Sequence, residues 1–291
     1  MGFAQVMSKR WNNHDDRGPR PCGGQEMLER RHDKRALAGL GTVLAGLVAL
    51  SFSGAALAAD EAEHPKEMEW SFEGPLGTFD RPALQRGFQV FKEVCSTCHT
   101  LKYVTFGSLD DAGGPGFSEA EAKAVAAEYE KDALDDSGDV KQVPRTLADT
   151  FPAPFANDLA ARAANGGALP PDLSVMTKAR HEGPSYIYSL LTGYKDAPAD
   201  VEMRAGMNYN PYFPTHQIAM PPPLTPDRVT YSDGTPATVE QMAHDVVTFL
   251  EWTAEPKLEA RKRTGLTVLI YLALLSVMLY WAKSRIWKDA H

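Results

Sequence analysis

Apolar residues along this chain fall into two patterns, stripes at helical spacing and uninterrupted stretches. Leu84, Phe88, Phe91 and Cys95 recur at spacings of four, three and four, which predicts a helix from Arg81 to Val94 with Asp80 as its cap and Pro82 in its first turn. Gly87 falls inside that helix, where a glycine costs stability unless another helix must come close. A second stripe, Val239, Met242, Val246, Phe249 and Leu250, begins behind the capping-box pair Thr238 and Gln241, and Glu255-Pro256 marks its end. A further helix is expected behind Ser118 and Glu121, with Val125, Tyr129 and Leu134 facing inward.

The uninterrupted stretches lie at the two ends. Residues 36–59, ALAGLGTVLAGLVALSFSGAALAA, follow Arg30, Arg31, Lys34 and Arg35 and end in Ala56-Leu57-Ala58, the layout of a secretory signal peptide cleaved near Ala58. Thr264 to Ala282 carries no charge over 19 residues. As a helix it would span roughly 28 Å, about one hydrocarbon core. Arg261-Lys262-Arg263 and Lys283 and Arg285 bound it, and Tyr271, Tyr280, Trp281 and Trp287 supply interface anchors. Three segments follow: a leader over 1–58, an exported body over 59–256, and an anchor with a short tail over 257–291. The leader sets the orientation, with the body in the periplasm of a bacterial inner (plasma) membrane and the C-terminus cytoplasmic.

Charge separates along the same boundaries. The body holds 15 basic and 31 acidic residues, a net of −16, and half of that excess lies between Asp110 and Asp139, inside an acidic insertion over about 107–145. Such a surface disfavours nucleic acid and favours a basic protein partner.

Of three cysteines, Cys22 falls in the leader, so the body keeps only Cys95 and Cys98, within Cys95-Ser96-Thr97-Cys98-His99. C-x-x-C-H reads as a c-type haem attachment site: two thiols three residues apart reach the two vinyl groups of one haem, and the next residue offers an imidazole to the iron. The competing readings are a thiol-disulfide enzyme and half a zinc site. Neither finds its framing, a strand-helix-strand pattern or a second cysteine pair. The sixth iron ligand sets the potential, since His/Met ligation lies above bis-imidazole. Candidates are Met68, Met176, Met203, Met207, Met220, Met242, Met278, His181, His216 and His244. Met242 belongs to a core stripe and Met278 to the apolar span. Met220, followed by Pro221-Pro222-Pro223, leads the rest because a stiff loop loses little entropy on ligation.

RGFQVFKEVCSTCHTLKYV at 86–104, NGGALPPDLSVMTKARHEGPSYIYSLLTGY at 165–194, YFPTHQIAMPPPL at 212–224 and the C-terminal apolar helix together resemble the cytochrome c1 family, the haem subunits of ubiquinol:cytochrome c oxidoreductase (the cytochrome bc1 complex). The resemblance implies a mostly α chain: a class I cytochrome c-like haem domain with insertions, plus one C-terminal transmembrane helix. It implies one covalently bound haem c on Cys95 and Cys98, with His99 and Met220 as axial ligands, Arg180 at a propionate, and Pro171 and Tyr186 in the haem surroundings. His216 is expected to serve its loop rather than the iron. The implied role is electron transfer without substrate chemistry, in a respiratory or photosynthetic complex with cytochrome b and Rieske iron-sulfur subunits. Electrons would come from the Rieske protein and leave to a basic soluble or tethered c-type cytochrome. The alternative is a free-standing tethered cytochrome or a haem subunit of a terminal oxidase.

Overall fold

The structure, a computed structural model, describes residues 62–288, so the leader and Cys22 lie outside the described residues. Helix α1 covers Arg81–Glu93 and buries Ala83, Leu84, Gly87, Phe88, Val90 and Phe91, the predicted face. Asp80 stands at the N-cap but its carboxylate accepts no capping bond. Pro82, the second helical residue, lacks one of the two N–H groups such a cap would serve.

The acidic insertion folds into a helix and a hairpin. Helix α2 covers Glu119–Ala127 behind a complete capping box, in which Ser118 Oγ accepts from the Glu121 N–H and the Glu121 carboxylate accepts from the Ser118 N–H at 2.7 Å. Val125 and Tyr129 pack against the core as expected. Leu134 does not: it lies beyond the helix on strand β1, Glu130–Leu134, and is 71% exposed. β1 pairs antiparallel with β2, Val140–Pro144, in the register Glu130 to Pro144 and Leu134 to Val140. Asp135 forces the reversal, its Oδ1 accepting from Ser137 N at 2.8 Å and Asp139 N at 3.0 Å, with Gly138 in the left-handed region.

Four short elements follow: α3, Asp158–Ala164; α4, Gly183–Thr192; and the antiparallel strands β3, Asn208–Tyr209, and β4, Gln217–Ile218. Helix α5, Val239–Ala254, is capped by Thr238 Oγ1 accepting from Gln241 N at 3.1 Å.

Helices α1 and α5 cross at Gly87. A β-carbon placed there would stand 2.0 Å from the Asp245 carbonyl oxygen and 2.8 Å from Phe249 Cβ, so the predicted close approach is real and only glycine permits it. Beside the crossing, Arg86 forks onto the fully buried Asp245, Nε to Oδ2 at 2.8 Å and Nη2 to Oδ1 at 3.1 Å, and reaches Asp233 at 2.8 Å. Burial opposes the Asp245 charge, but hydrogen bonds and the guanidinium hold the carboxyl below its ordinary range. Phe88, Phe91, Phe151 and Phe249 pack around the crossing with centroids 5.7–6.1 Å apart.

Helix α6, Leu258–Ile286, runs 29 residues and contains the predicted 264–282 span, whose large apolar side chains are exposed. Its first turn belongs to the body. Leu258 is buried, Glu259 accepts from Phe79 N at 2.9 Å and Arg81 Nη2 at 2.8 Å, and Lys262 Nζ donates to the carbonyls of Phe72 and Gly77.

Candidate haem-attachment site

The buried face of α1 runs into Val94, and the chain then tightens into a 3₁₀ turn over Cys95–Thr97. The N–H groups of Cys98 and His99 both donate to the Cys95 carbonyl, at 3.1 and 2.9 Å, so the two thiols and the imidazole are wound around a single oxygen. The spacer residues tie the turn to α1, Ser96 Oγ donating to the Lys92 carbonyl at 2.6 Å and Thr97 Oγ1 to the Val94 carbonyl at 2.7 Å. Both thiols are free. Burial, reinforced by Cys98, pushes the Cys95 thiol up to about 12. That is opposite to what a dithiol enzyme requires, since its attacking sulfur must ionise near neutrality.

His99 is fixed by its other nitrogen. Nδ1 lies 2.8 Å from the Pro171 carbonyl oxygen; a carbonyl only accepts, so Nδ1 carries the proton and Nε2 keeps its lone pair. Burial lowers the imidazole pKa, against the raising effects of the Pro171 bond and Asp172, and so favours the neutral ring that a metal needs. Pro171 is itself held in place. Leu173 N donates to the Thr100 carbonyl at 2.9 Å, and the Asp172 carboxylate accepts from Thr100 Oγ1 at 2.6 Å, Lys102 N at 2.9 Å and Ser174 N at 3.0 Å. Asp172 was not singled out from the sequence. The signal was there, an acceptor-only side chain directly after a proline pair, in the place where turns use aspartate.

Met220 is half-buried just past β4. Its carbonyl accepts from the Tyr194 hydroxyl at 3.1 Å and Asn208 Nδ2 at 3.4 Å. Tyr194 and Asn208 are the other residues that sequence reasoning missed. An open cleft of about 630 Å³ beside this loop is lined by Tyr194, Met203, Met207, Asn208 and Pro222 among others. Met242 is fully buried in the core, as its stripe predicted. His216 is buried with φ at +54°, its ring 6.0 Å from that of Tyr209.

Arg180 is exposed and donates to the Ala179 carbonyl at 2.9 Å, with its guanidinium beside the Tyr186 hydroxyl. Burial raises the Tyr186 pKa and Arg180 opposes the rise. The loop ahead of Arg180 touches α4 so closely that a β-carbon on Gly183 would meet the Thr177 carbonyl at 1.7 Å. Lys178, in the same loop, ion-pairs with Glu255 and lies 3.6 Å from Glu251 at the end of α5. The structure thus gathers Cys95, Cys98, His99 and Pro171 around the 3₁₀ turn and sets Arg180 beside Tyr186 of α4, while Met220, on its loop, has its carbonyl held by Tyr194 and Asn208. Two thiols flanking a neutral imidazole with a free Nε2 form the donor set that a covalently held haem requires.

Residues 70–290 match the model of the Cytochrome C1 family. The chain is 50% identical to cytochrome c1 of Rhodospirillum rubrum over 88% of its own length and 97% of that protein. It is 49% identical to cytochrome c1 1, heme protein, mitochondrial, of Arabidopsis thaliana, over 84% of this chain and 80% of the relative. With cytochrome b/c1 of Bradyrhizobium diazoefficiens it shares 45% identity over 94% of this chain, which spans 43% of that longer protein.

Proposed function

The chain belongs to the cytochrome c1 family, and from that premise we propose that it is the haem-bearing electron-transfer subunit of a quinol:cytochrome c oxidoreductase, taking electrons from a Rieske iron-sulfur protein and passing them to a c-type cytochrome. Cytochrome b and the Rieske protein are its partners in the complex. It performs no substrate chemistry of its own. Residues 59–256, with the first turn of α6 packed on them, form the periplasmic domain, the preceding leader is cleaved, and α6 crosses a bacterial inner membrane with its end in the cytoplasm.

One observation carries the reading: a C-x-x-C-H turn whose histidine gives its Nδ1 proton to a carbonyl fixed by a neighbouring aspartate. Bound through Cys95 and Cys98, haem c would supply a one-electron couple. His99 would hold the iron through Nε2 and Met220 through its thioether from a proline-stiffened loop, a pairing that would keep the potential above that of two imidazoles. Arg180 would neutralise a propionate with a planar two-pronged donor. Pro171 positions the ring of His99, and the Tyr186 hydroxyl lies beside the Arg180 guanidinium. The body's net charge favours a basic acceptor.

The test is a pyridine haemochrome spectrum of the purified protein together with a haem stain after denaturing electrophoresis. One covalently bound haem is expected, and Cys98→Ser should lose the stain. Retention of a normal stain and stability in that variant would overturn the assignment.

A further inference from the structure

We propose that residues 63–66 form a strap that holds the Met220 loop in its ligating position, with Lys66 as the positioning residue. The inference rests on the reading of Met220 as an axial ligand and names what keeps it there. The loop from Tyr209 to Met220 is seated on the end of α4: fully buried Asn210 donates from Nδ2 to the Leu190 carbonyl at 2.7 Å, and Tyr212 lies where a side chain on Gly193 would be, 2.4 Å from an added β-carbon. The strap lies across this joint and bonds to both sides of it. On the loop side, Glu63 N donates to the Pro211 carbonyl at 2.9 Å. On the helix side, Lys66 N donates to Ser189 Oγ and Lys66 Nζ to Thr192 Oγ1, each at 2.7 Å. The ammonium also spans the joint, 5.7 Å from the ring centroid of Tyr188 on α4 and 5.8 Å from that of Tyr212 on the loop. A side chain that only stabilised α4 would have no reason to reach Tyr212.

Lys66 therefore biases the loop toward its seated state through one charge-assisted hydrogen bond and two ring contacts. Their removal should shift the open-to-seated equilibrium by about ten- to a hundredfold. The experiment uses the full-length haem-loaded protein with Lys66→Ala, Lys66→Arg and, as reference, Met220→Leu. It reads the thioether-to-iron charge-transfer band of the oxidised form and the fraction of reduced haem that takes up carbon monoxide. Lys66→Ala should weaken the band and raise the carbon monoxide-reactive fraction by about tenfold or more. Lys66→Arg, which keeps a donor and a cation over the rings, should restore both. A Lys66→Ala protein that melts at a lower temperature with both signals unchanged would overturn the strap, leaving Lys66 a structural residue only. Should Met220→Leu itself leave the signals unchanged, the ligand reading would fail instead, and the two failures are distinct.

Discussion

At the scale of single residues, the histidine environment depends on Asp172. Its carboxylate joins the chain after His99 to the chain that carries the Pro171 carbonyl. Burial opposes the charge, yet the hydrogen bonds from Thr100, Lys102 and Ser174 keep its pKa below the ordinary value. A carboxyl depressed in the folded state stabilises the fold fully above its unfolded pKa, about 3.9, and loses that contribution as pH falls through the lower folded value. Asp172→Asn should therefore cost about 1–3 kcal/mol at neutral pH and flatten the acid limb of the stability curve. Thermal melting from pH 7 down to about 3 checks both. An acid limb as steep in the variant as in the parent would show that other carboxylates set it.

The residue scale is also where the sequence was most informative, because the attachment motif is local. Cys95, Cys98 and His99 fall within five positions, and the turn that gathers them is set by hydrogen bonds reaching no further than Lys92. Pro171 and Asp172 act from 72 positions away, and Tyr194 and Asn208 reach the Met220 carbonyl across 26 and 12, so their roles become visible only once the loops are folded together.

At the scale of elements, the α1–α5 crossing tolerates nothing larger than hydrogen at Gly87. Gly87→Ala must push the helices apart or break the Arg86–Asp245 fork, and an overpacking cost of about 3 kcal/mol is expected. Chemical denaturation of the haem-loaded protein measures it. Full stability in the variant would mean that the helices slide without cost. Both crossing helices were legible because their stripes repeat over several turns. The β1–β2 hairpin was not, since EKDAL and VKQVP lack any apolar alternation and only the Asp-Asp-Ser-Gly turn between them marks a reversal. Helical periodicity was accordingly carried too far, through to Leu134.

The junction of α5 and α6 makes a second element-scale prediction. Glu255-Pro256 ends α5 as the sequence indicated, but the body does not end there, because Leu258, Glu259 and Lys262 all contact it. A soluble chain ending at Arg263 should match the stability of the parent body. One ending at Pro256 should fall about 3 kcal/mol below it, from the loss of one buried leucine, an ion pair and several hydrogen bonds. Comparing the two melting curves decides the point, and equal curves would make the first turn of α6 dispensable.

At the scale of the whole molecule, the acidic excess is spread unevenly. Within the insertion, Glu128 is paired with Lys92 at 2.6 Å and Glu119 with Lys123 at 2.6 Å. The hairpin and its turn leave Glu130, Asp132, Asp136 and Asp139 exposed. A field of this sign should speed association with a basic c-type cytochrome by about ten- to a thousandfold at low salt. Salt should remove most of that gain as the Debye length shrinks from about 30 Å at 0.01 M to about 8 Å at 0.15 M. Bimolecular electron-transfer rates across that range, in the parent and in a protein with those four residues neutralised, locate the effect. A steep salt dependence that flattens in the variant assigns the steering to the hairpin; one that persists assigns it to the remaining acidic surface.

The first turn of α6 is body by contact and helix by conformation, and this removes the joint that a flexible tether would place at the membrane surface. The helix becomes a mast about 43 Å long stepped directly into the domain above it. A bilayer thinner or thicker than the apolar stretch changes the tilt of a spanning helix. Here any such tilt must rotate the whole domain, so lipid thickness would set the angle at which the haem face meets an arriving partner.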